Sequence, residues 1–396
     1  VSGPGALPFD AAALDAMMEE AGLDILLASS RHNVQYLLGG HRHHFFEAME
    51  AIGVSRYLPL LLYVKGRPDL SAYIANRNEK DMIAVHAREQ GGLWPGQVVA
   101  GSSGTLDAMA LALPLLQAAA GPRPRIGIEA GFLPLDAGLA LQAAFPDPPP
   151  REAHRLLERL RAVKGPRELA LLRDASDRVV DAMLAVMRHH GAGTSKRALI
   201  EALRQEEVRR GLGFDYALVS MGRSLNRAPS DEVWRPGEIL SMDSGGNLAG
   251  YIGDLCRMAV LGEPDGELQD LLGEVDAVQQ AARGAVRAGV VGGEVYGAAE
   301  AALARCAYGP AMHFVAHGMG LVGHEAPRLT AKGPIPYPAS DAALPLRAGM
   351  VLSIETTLPH PRRGFIKLED TVAVTATGCE GFGDRGRGWN CAGTGP

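Results

Sequence analysis

RPGEILSMDSGGNLAGYIGDLCRMAV, residues 235–260, decides how this chain folds, because its pattern returns further along: residues 347–357 read RAGMVLSIETT and residues 364–374 read GFIKLEDTVAV. Each copy starts at an Arg (Arg235, Arg347) and runs through alternating apolar positions to a carboxylate, Asp243 or Glu355. Each is followed by a second strand-like run with another carboxylate, Asp254 or Glu369. Side chains alternate along a strand, so Ser241 and Asp243 share a face, as do Ser353 and Glu355, while Met242 and Ile354 point the other way. A turn near Leu248 and Ala249 sets Asp243 opposite Asp254 at cross-strand distance. Two such ribbons imply four carboxylates converging on a pseudo-twofold centre.

Adjacent carboxylates repel, and a buried pair must take up a proton or meet a compensating cation. One pair alone would be a polar hairpin rim. Two pairs on otherwise apolar strands call for divalent cations. The segment PAMHFVAHGMGLVGHEAPRL (310–329) adds His313 and His317, four apart on one strand face, and His324 after a glycine-bearing run. Oxygen donors joined by an imidazole suit Mn²⁺, Co²⁺, Fe²⁺ or Zn²⁺.

The rest of the chain frames this site. It has 396 residues, 47% apolar and 21% charged, a globular composition long enough for two or more domains. A formal charge of -6 and no Lys/Arg cluster argue against a nucleic-acid ligand. Cys256, Cys306, Cys379 and Cys391 show no CxxC spacing, which fits a reducing compartment, and no stretch is apolar enough to span a bilayer. The opening VSGPGALP has no leader pattern, so the cytoplasm is the expected location. FPDPPPREAHR (145–155) reads as a stiff connector, dividing the chain into domains 1–150 and 151–396. Upstream, helical spacing that runs into a short apolar strand within DAAALDAMMEEAGLDILLAS (10–29), and strands LPLLLYVKG, LSAYIA and RIGIEA, predict an α/β domain. Downstream, helices over 167–190 and 267–289, the latter stopped by Gly289, alternate with strand pairs and predict α+β.

With these motifs placed, the second half resembles the pita-bread metallohydrolase superfamily of methionine aminopeptidase, aminopeptidase P, Xaa-Pro dipeptidase and creatinase. GYIGDLCR is similar to its Tyr-x-x-Asp-x-x-Arg segment, HGMGLVGHE to its His-Gly-x-Gly stretch and KLEDTVAVT to its last metal strand. LRAVKGPRELALLRDAS resembles the helix that opens the catalytic domain, and LDILLASSRHNVQYLLGG the creatinase-type N-terminal domain. The resemblance implies an α+β pita-bread catalytic domain after a smaller α/β domain. It also implies two divalent ions per chain on Asp243, Asp254, His317, Glu355 and Glu369, with Mn²⁺ the leading choice. A metal-bridging hydroxide would attack an amide carbonyl, Glu355 would shuttle the proton, and His313 and His324 would contact the carbonyl oxygen. A homodimer acting on small peptides, Xaa-Pro dipeptides first, follows from the same likeness.

Departures bear on the substrate. Peptidases of this type commonly carry a His about seventeen residues before the first Asp, where this chain offers Asn226. They carry Arg where it has Lys367, and an ammonium does not replace a planar fork. Cys256 stands where Thr is common, and Thr356 where Pro is frequent. Asn226 and Lys367 are therefore candidate substrate contacts, and a small non-peptide amide or guanidino compound is the alternative substrate. In GGHRHHFFEAMEAIG (39–53), His43 and Phe46 are candidates for a substrate-selecting lid, against a reading as a surface loop with its own packing. Some superfamily members serve as metal-free binding modules, but their mark is lost ligands, and all five are present here.

Overall fold

The computed structural model describes residues 7–393 apart from Ile52, Ala120, Pro122 and residues 331–337. Residues 1–6, most of the opening read for a leader, lie outside the described residues. The chain divides into two compact units, 1–161 and 162–396.

The first unit contains α1 (Ala11–Glu20), β1 (Ile25–Ala28), α2 (Arg31–Leu37), β2 (Leu60–Val64), β3 (Ala72–Asn76), α3 (Lys80–Gln90), β4 (Gln97–Ser102), α4 (Thr105–Ala119), β5 (Ile126–Ile128), α5 (Leu135–Ala144), β6 (Arg151–Glu152) and α6 (His154–Ala162). Its sheet has the order β4-β3-β2-β1-β5-β6. The boundary expected at residue 150 moves to Arg161, because the chain leaves the prolines straight into β6, which pairs with β5 (Gly127 opposite Arg151), and then into α6. A buried carboxylate, Glu129, organises this junction. It accepts from Ser29 N at 2.6 Å, Ser30 N at 2.9 Å, Ser30 Oγ at 2.6 Å, Asn33 Nδ2 at 2.5 Å and His154 Nδ1 at 3.0 Å. Burial opposes its ionisation, but these donors and the nearby His32 hold it down at about 2. Burial likewise opposes charge on His154, yet Glu129 and Glu158 raise it to about 9.

His43 and Phe46 do not form a projecting lid within this unit. Phe46 is buried and stacks on Tyr57, with ring centroids 5.9 Å apart, and His43 is buried edge-on against the same ring. The aromatic density that suggests a lid is used for the domain's own packing, which leaves His44 exposed.

The second unit contains α7 (Pro166–His189), α8 (Lys196–Arg209), β7 (Gly213–Met221), β8 (Ile239–Leu248), β9 (Tyr251–Leu261), α9 (Gly266–Ala285), α10 (Gly292–Leu303), β10 (His313–Gly318), β11 (Val351–His360), β12 (Gly364–Val374), β13 (Cys379–Phe382) and β14 (Asn390–Ala392). The sheet order β10-β11-β12-β9-β8-β7, with β13 on β12 and β14 on β9, sets the two expected hairpins side by side, each flanked by one more strand. Asp265 caps α9 by accepting from Leu268 N. The helix ends at Ala285, short of the expected stop at Gly289, because Val286 already adopts extended backbone.

Alternation along the strands divides the two faces as the sequence pattern requires. On one face Met242, Leu240 and Leu255 pack with Val179 and Met183 of α7 and Leu199 of α8. Ile354, Leu352 and Leu368 pack with Val275 and Val278 of α9 and Val295 of α10. Both helix pairs lie on the apolar face, so the polar face is left to build a site.

Candidate metal centre

Strand register turns that polar face into rows. One row crosses the sheet as Val315, Glu355, Glu369, Cys256, Asp243 and Leu218, each opposite the next on the neighbouring strand. In the adjacent row His317 lies opposite Ser353 and Ser353 opposite Thr371, while Asp254 lies opposite Gly245 and Gly245 opposite Tyr216. Thr371 Oγ1 closes the seam by donating to the Asp254 carbonyl at 3.0 Å. Glu355 and Glu369 are thus directly opposed. Asp243 and Asp254 are diagonal: Asp243 faces Cys256, because the turn residues are Ala249 (φ 51°) and Gly250 (φ 89°) rather than Leu248 and Ala249.

Asp243, Asp254, His317 and Glu369 are buried, and the Glu355 side chain retains 13% exposure. Ligand atoms of Asp254, His317 and Glu369 all lie within 4.8 Å of one another. His317 Nδ1 faces the Gly318 carbonyl at 3.1 Å, which assigns its proton there and leaves a lone pair on Nε2. That Nε2 is buried without a hydrogen-bond partner. An orphaned, buried, lone-pair nitrogen facing two carboxylates is what a divalent cation requires, so these residues fit the implied metal.

The supporting contacts are specific. Ser353 Oγ donates to Glu369 Oε1 at 2.7 Å and Tyr216 OH to Asp254 Oδ1 at 2.5 Å. Burial, then the charges of Glu369 and Asp243, pushes the Asp254 carboxyl well above its usual range. Gly245 is required because a Cβ there would come within 2.3 Å of the Tyr216 ring. Gly318 is required because a Cβ would meet the Ala326 backbone at 2.3 Å, where Gly318 and Glu325 pair. The loop that follows is pinned by a buried ion pair, Lys164 Nζ to Glu325 Oε1 at 2.8 Å. It brings His324 onto His317, with rings stacked at 3.7 Å. Burial and the neighbouring His317, Arg328 and Lys367 lower His324 to about 3, a neutral imidazole. His313 lies on the same strand face at its exposed end.

The structure revises two of the residues expected to touch substrate. Lys367 is not placed as a substrate contact: it is buried, with Nζ 2.6 Å from Asp243 Oδ2, 2.5 Å from Glu355 Oε2 and 2.8 Å from Glu369 Oε2. Asn226 is exposed and its carboxamide oxygen accepts from Ala228 N, while its neighbour Arg227 reaches in to pair with Asp243 through Nη2. Arg227 and Tyr216 do not stand out in the sequence. Their available signals are the cation beside Asn226 and the missing side chain at Gly245.

Other departures have local explanations. Thr356 points to the helix-covered face and donates to buried Gln279 at 2.9 Å. Cys256 lies between Asp243 and Glu369 in its row, and burial first of all raises its thiol to about 12. Arg257, on the opposite face, supports the strands: it donates to the Glu369 carbonyl at 2.8 Å and pairs with Asp370 at 3.1 Å.

Comparison with known proteins identifies the family. Residues 170–376 match the model of metallopeptidase family M24, and residues 11–163 match the creatinase/prolidase N-terminal domain. The chain is 24% identical to an Xaa-Pro dipeptidase of Lactobacillus delbrueckii subsp. lactis, covering 93% of this chain and 95% of that one. It is 29% identical to the probable dipeptidase PepE of Mycobacterium tuberculosis, covering 92% and 90%. The crystal structure of dipeptidase PepE from Mycobacterium ulcerans superposes with a TM-score of 0.75 at 25% identity, covering 96% of each chain. The Xaa-Pro dipeptidase from Bacillus anthracis superposes with a TM-score of 0.76 at 21% identity, covering 94% and 96%, a likeness of fold. With its pita-bread α+β catalytic domain, its creatinase-type N-terminal domain and this candidate centre, the chain belongs to metallopeptidase family M24 and is a metal-dependent hydrolase.

Proposed function

We propose that the protein hydrolyses the C–N bond of small peptides, with Xaa-Pro dipeptides as first substrates. The observation that carries this reading is the buried, unpartnered His317 Nε2 beside Asp254 and Glu369. Manganese suits an oxygen-rich set with one imidazole. A divalent ion bound there lowers the pKa of water and polarises a substrate carbonyl.

The chain's own residues supply the remaining chemistry. Glu355 keeps more exposure than Asp243 or Glu369, which suits a carboxylate that takes a proton from water and passes it to the departing nitrogen. His324, neutral beside His317, and His313 at the open end of β10 donate hydrogen bonds where negative charge develops on the carbonyl oxygen. Arg227 and Lys367 anchor Asp243.

Four free cysteines, and no helix among the described residues long and apolar enough to cross a membrane, support a cytoplasmic setting. Homodimerisation follows from the family likeness, and sedimentation tests it. Lys367 in place of Arg, together with an outward-facing Asn226, favours a second reading, hydrolysis of a small non-peptide amide. A screen of Xaa-Pro dipeptides, longer Xaa-Pro peptides and small cyclic or N-acylated amides with Mn²⁺ separates the two. Turnover of the last group alone would overturn the dipeptidase assignment.

A further inference from the structure

The five candidate ligands are not equivalent. Asp254, His317 and Glu369 face one another, with His317 Nε2 unpartnered. Asp243 and Glu355 instead face Lys367, whose ammonium lies 2.6 Å from the first and 2.5 Å from the second. Asp243 Oδ2 also takes the Arg227 guanidinium. Glu369 stands between the two halves, sharing its Oε2 side with Lys367 at 2.8 Å.

We propose that Lys367 occupies the second metal position of this centre, so that each chain carries one resident divalent ion, held by Asp254, His317 and Glu369. The proposal rests on the metallopeptidase reading and refines it. Charge balance points the same way. Four buried or half-buried carboxylates bring four negative charges, which two divalent ions would neutralise in full. Here Arg227 and Lys367 contact the cluster directly and supply two positive charges, leaving a deficit that a single divalent ion fills. A second ion would leave the site with excess positive charge in a poorly solvated environment, or would have to expel a buried ammonium from three carboxylates, and either is costly. Three protein ligands with open positions also suffice for a catalytic ion. An Arg fork would spread its charge over a plane, whereas the compact ammonium of Lys can sit at a single point among three oxygens, as a metal ion would.

The test is a metal count. Wild-type protein purified without chelator, incubated with excess Mn²⁺ and freed of unbound ion by gel filtration, is expected to hold about one ion per chain. It should show the electron paramagnetic resonance signal of isolated rather than exchange-coupled Mn²⁺. Lys367→Met removes the competing charge and is expected to hold about two, with coupling now visible. Wild type binding two ions with coupled spins would overturn the proposal while leaving the hydrolase reading intact, even should the Met variant fail to fold. A folded Lys367→Met variant that stays at one ion would also overturn it. No ion in wild type would overturn both readings.

Discussion

Gly245→Ala tests whether Tyr216 positions Asp254. A Cβ at residue 245 would come within 2.3 Å of Tyr216 Cε1, 2.8 Å of Cζ and 3.0 Å of Cδ1. Ordinary carbon contacts lie near ~3.5–4.0 Å, so the ring must move by more than about 1 Å. That motion breaks the 2.5 Å bond from Tyr216 OH to Asp254 Oδ1. Forcing a methyl into a packed site costs about 1–3 kcal/mol, and losing a hydrogen bond to an ionised acceptor adds about 1.5–3 kcal/mol. The expected destabilisation of the catalytic domain is therefore roughly 2.5–6 kcal/mol, accompanied by weaker Mn²⁺ binding. Urea unfolding of the metal-loaded protein by circular dichroism and fluorescence measures the first, and calorimetric titration the second. In a Tyr216→Ala background the obstacle is gone, and adding Gly245→Ala should cost less than about 0.5 kcal/mol. An equal penalty in both backgrounds would show that Gly245 serves some purpose other than making room for Tyr216.

Three further outcomes follow from the geometry. Lys164→Met removes the buried Nζ contact to Glu325 and should cost about 3–5 kcal/mol by thermal unfolding, while Lys164→Met/Glu325→Leu should recover most of it; a double variant no better than the single one would refute the pairing. His154 is raised to about 9 in the folded N-terminal domain against an ordinary 6.5, so its stabilising contribution is complete below about 6.5 and fades as pH rises through 9. Glu129, lowered to about 2 from 4.5, contributes above 4.5 and loses its contribution as pH falls toward 2. Melting temperature against pH should therefore show an alkaline decline that His154→Gln flattens, and an unchanged decline in that variant would contradict the pairing. Cys256, buried and raised to about 12, should be the last of the four cysteines alkylated by iodoacetamide at pH 8; early labelling mapped to it by mass spectrometry would place its strand face wrongly.

The repeated ribbons are legible in the sequence because strand period and carboxylate position are both local properties. The hairpin register is not. Moving the turn centre by one residue, from Leu248 and Ala249 to Ala249 and Gly250, shifts the pairing by two, so every side chain keeps its face while Asp243 changes its opposite residue from Asp254 to Cys256. The face assignment therefore survives and the direct opposition does not. Tyr216 and Arg227 reach the site from β7 and the loop after it, across sequence distances that no local period encodes. Lys367 resembles a modified substrate contact because its difference from Arg is visible in sequence, whereas its position among three carboxylates depends on how β12 packs between β11 and β9. For His43 and Phe46 the sequence offers only composition, and composition does not tell an aromatic lid from an aromatic core.

The most direct test of the metal centre is anomalous diffraction from crystals grown with Mn²⁺. A manganese peak contacted by the Asp254 carboxylate, His317 Nε2 and Glu369 is expected. A map with no peak there, or with manganese bound only elsewhere on the chain, would contradict it.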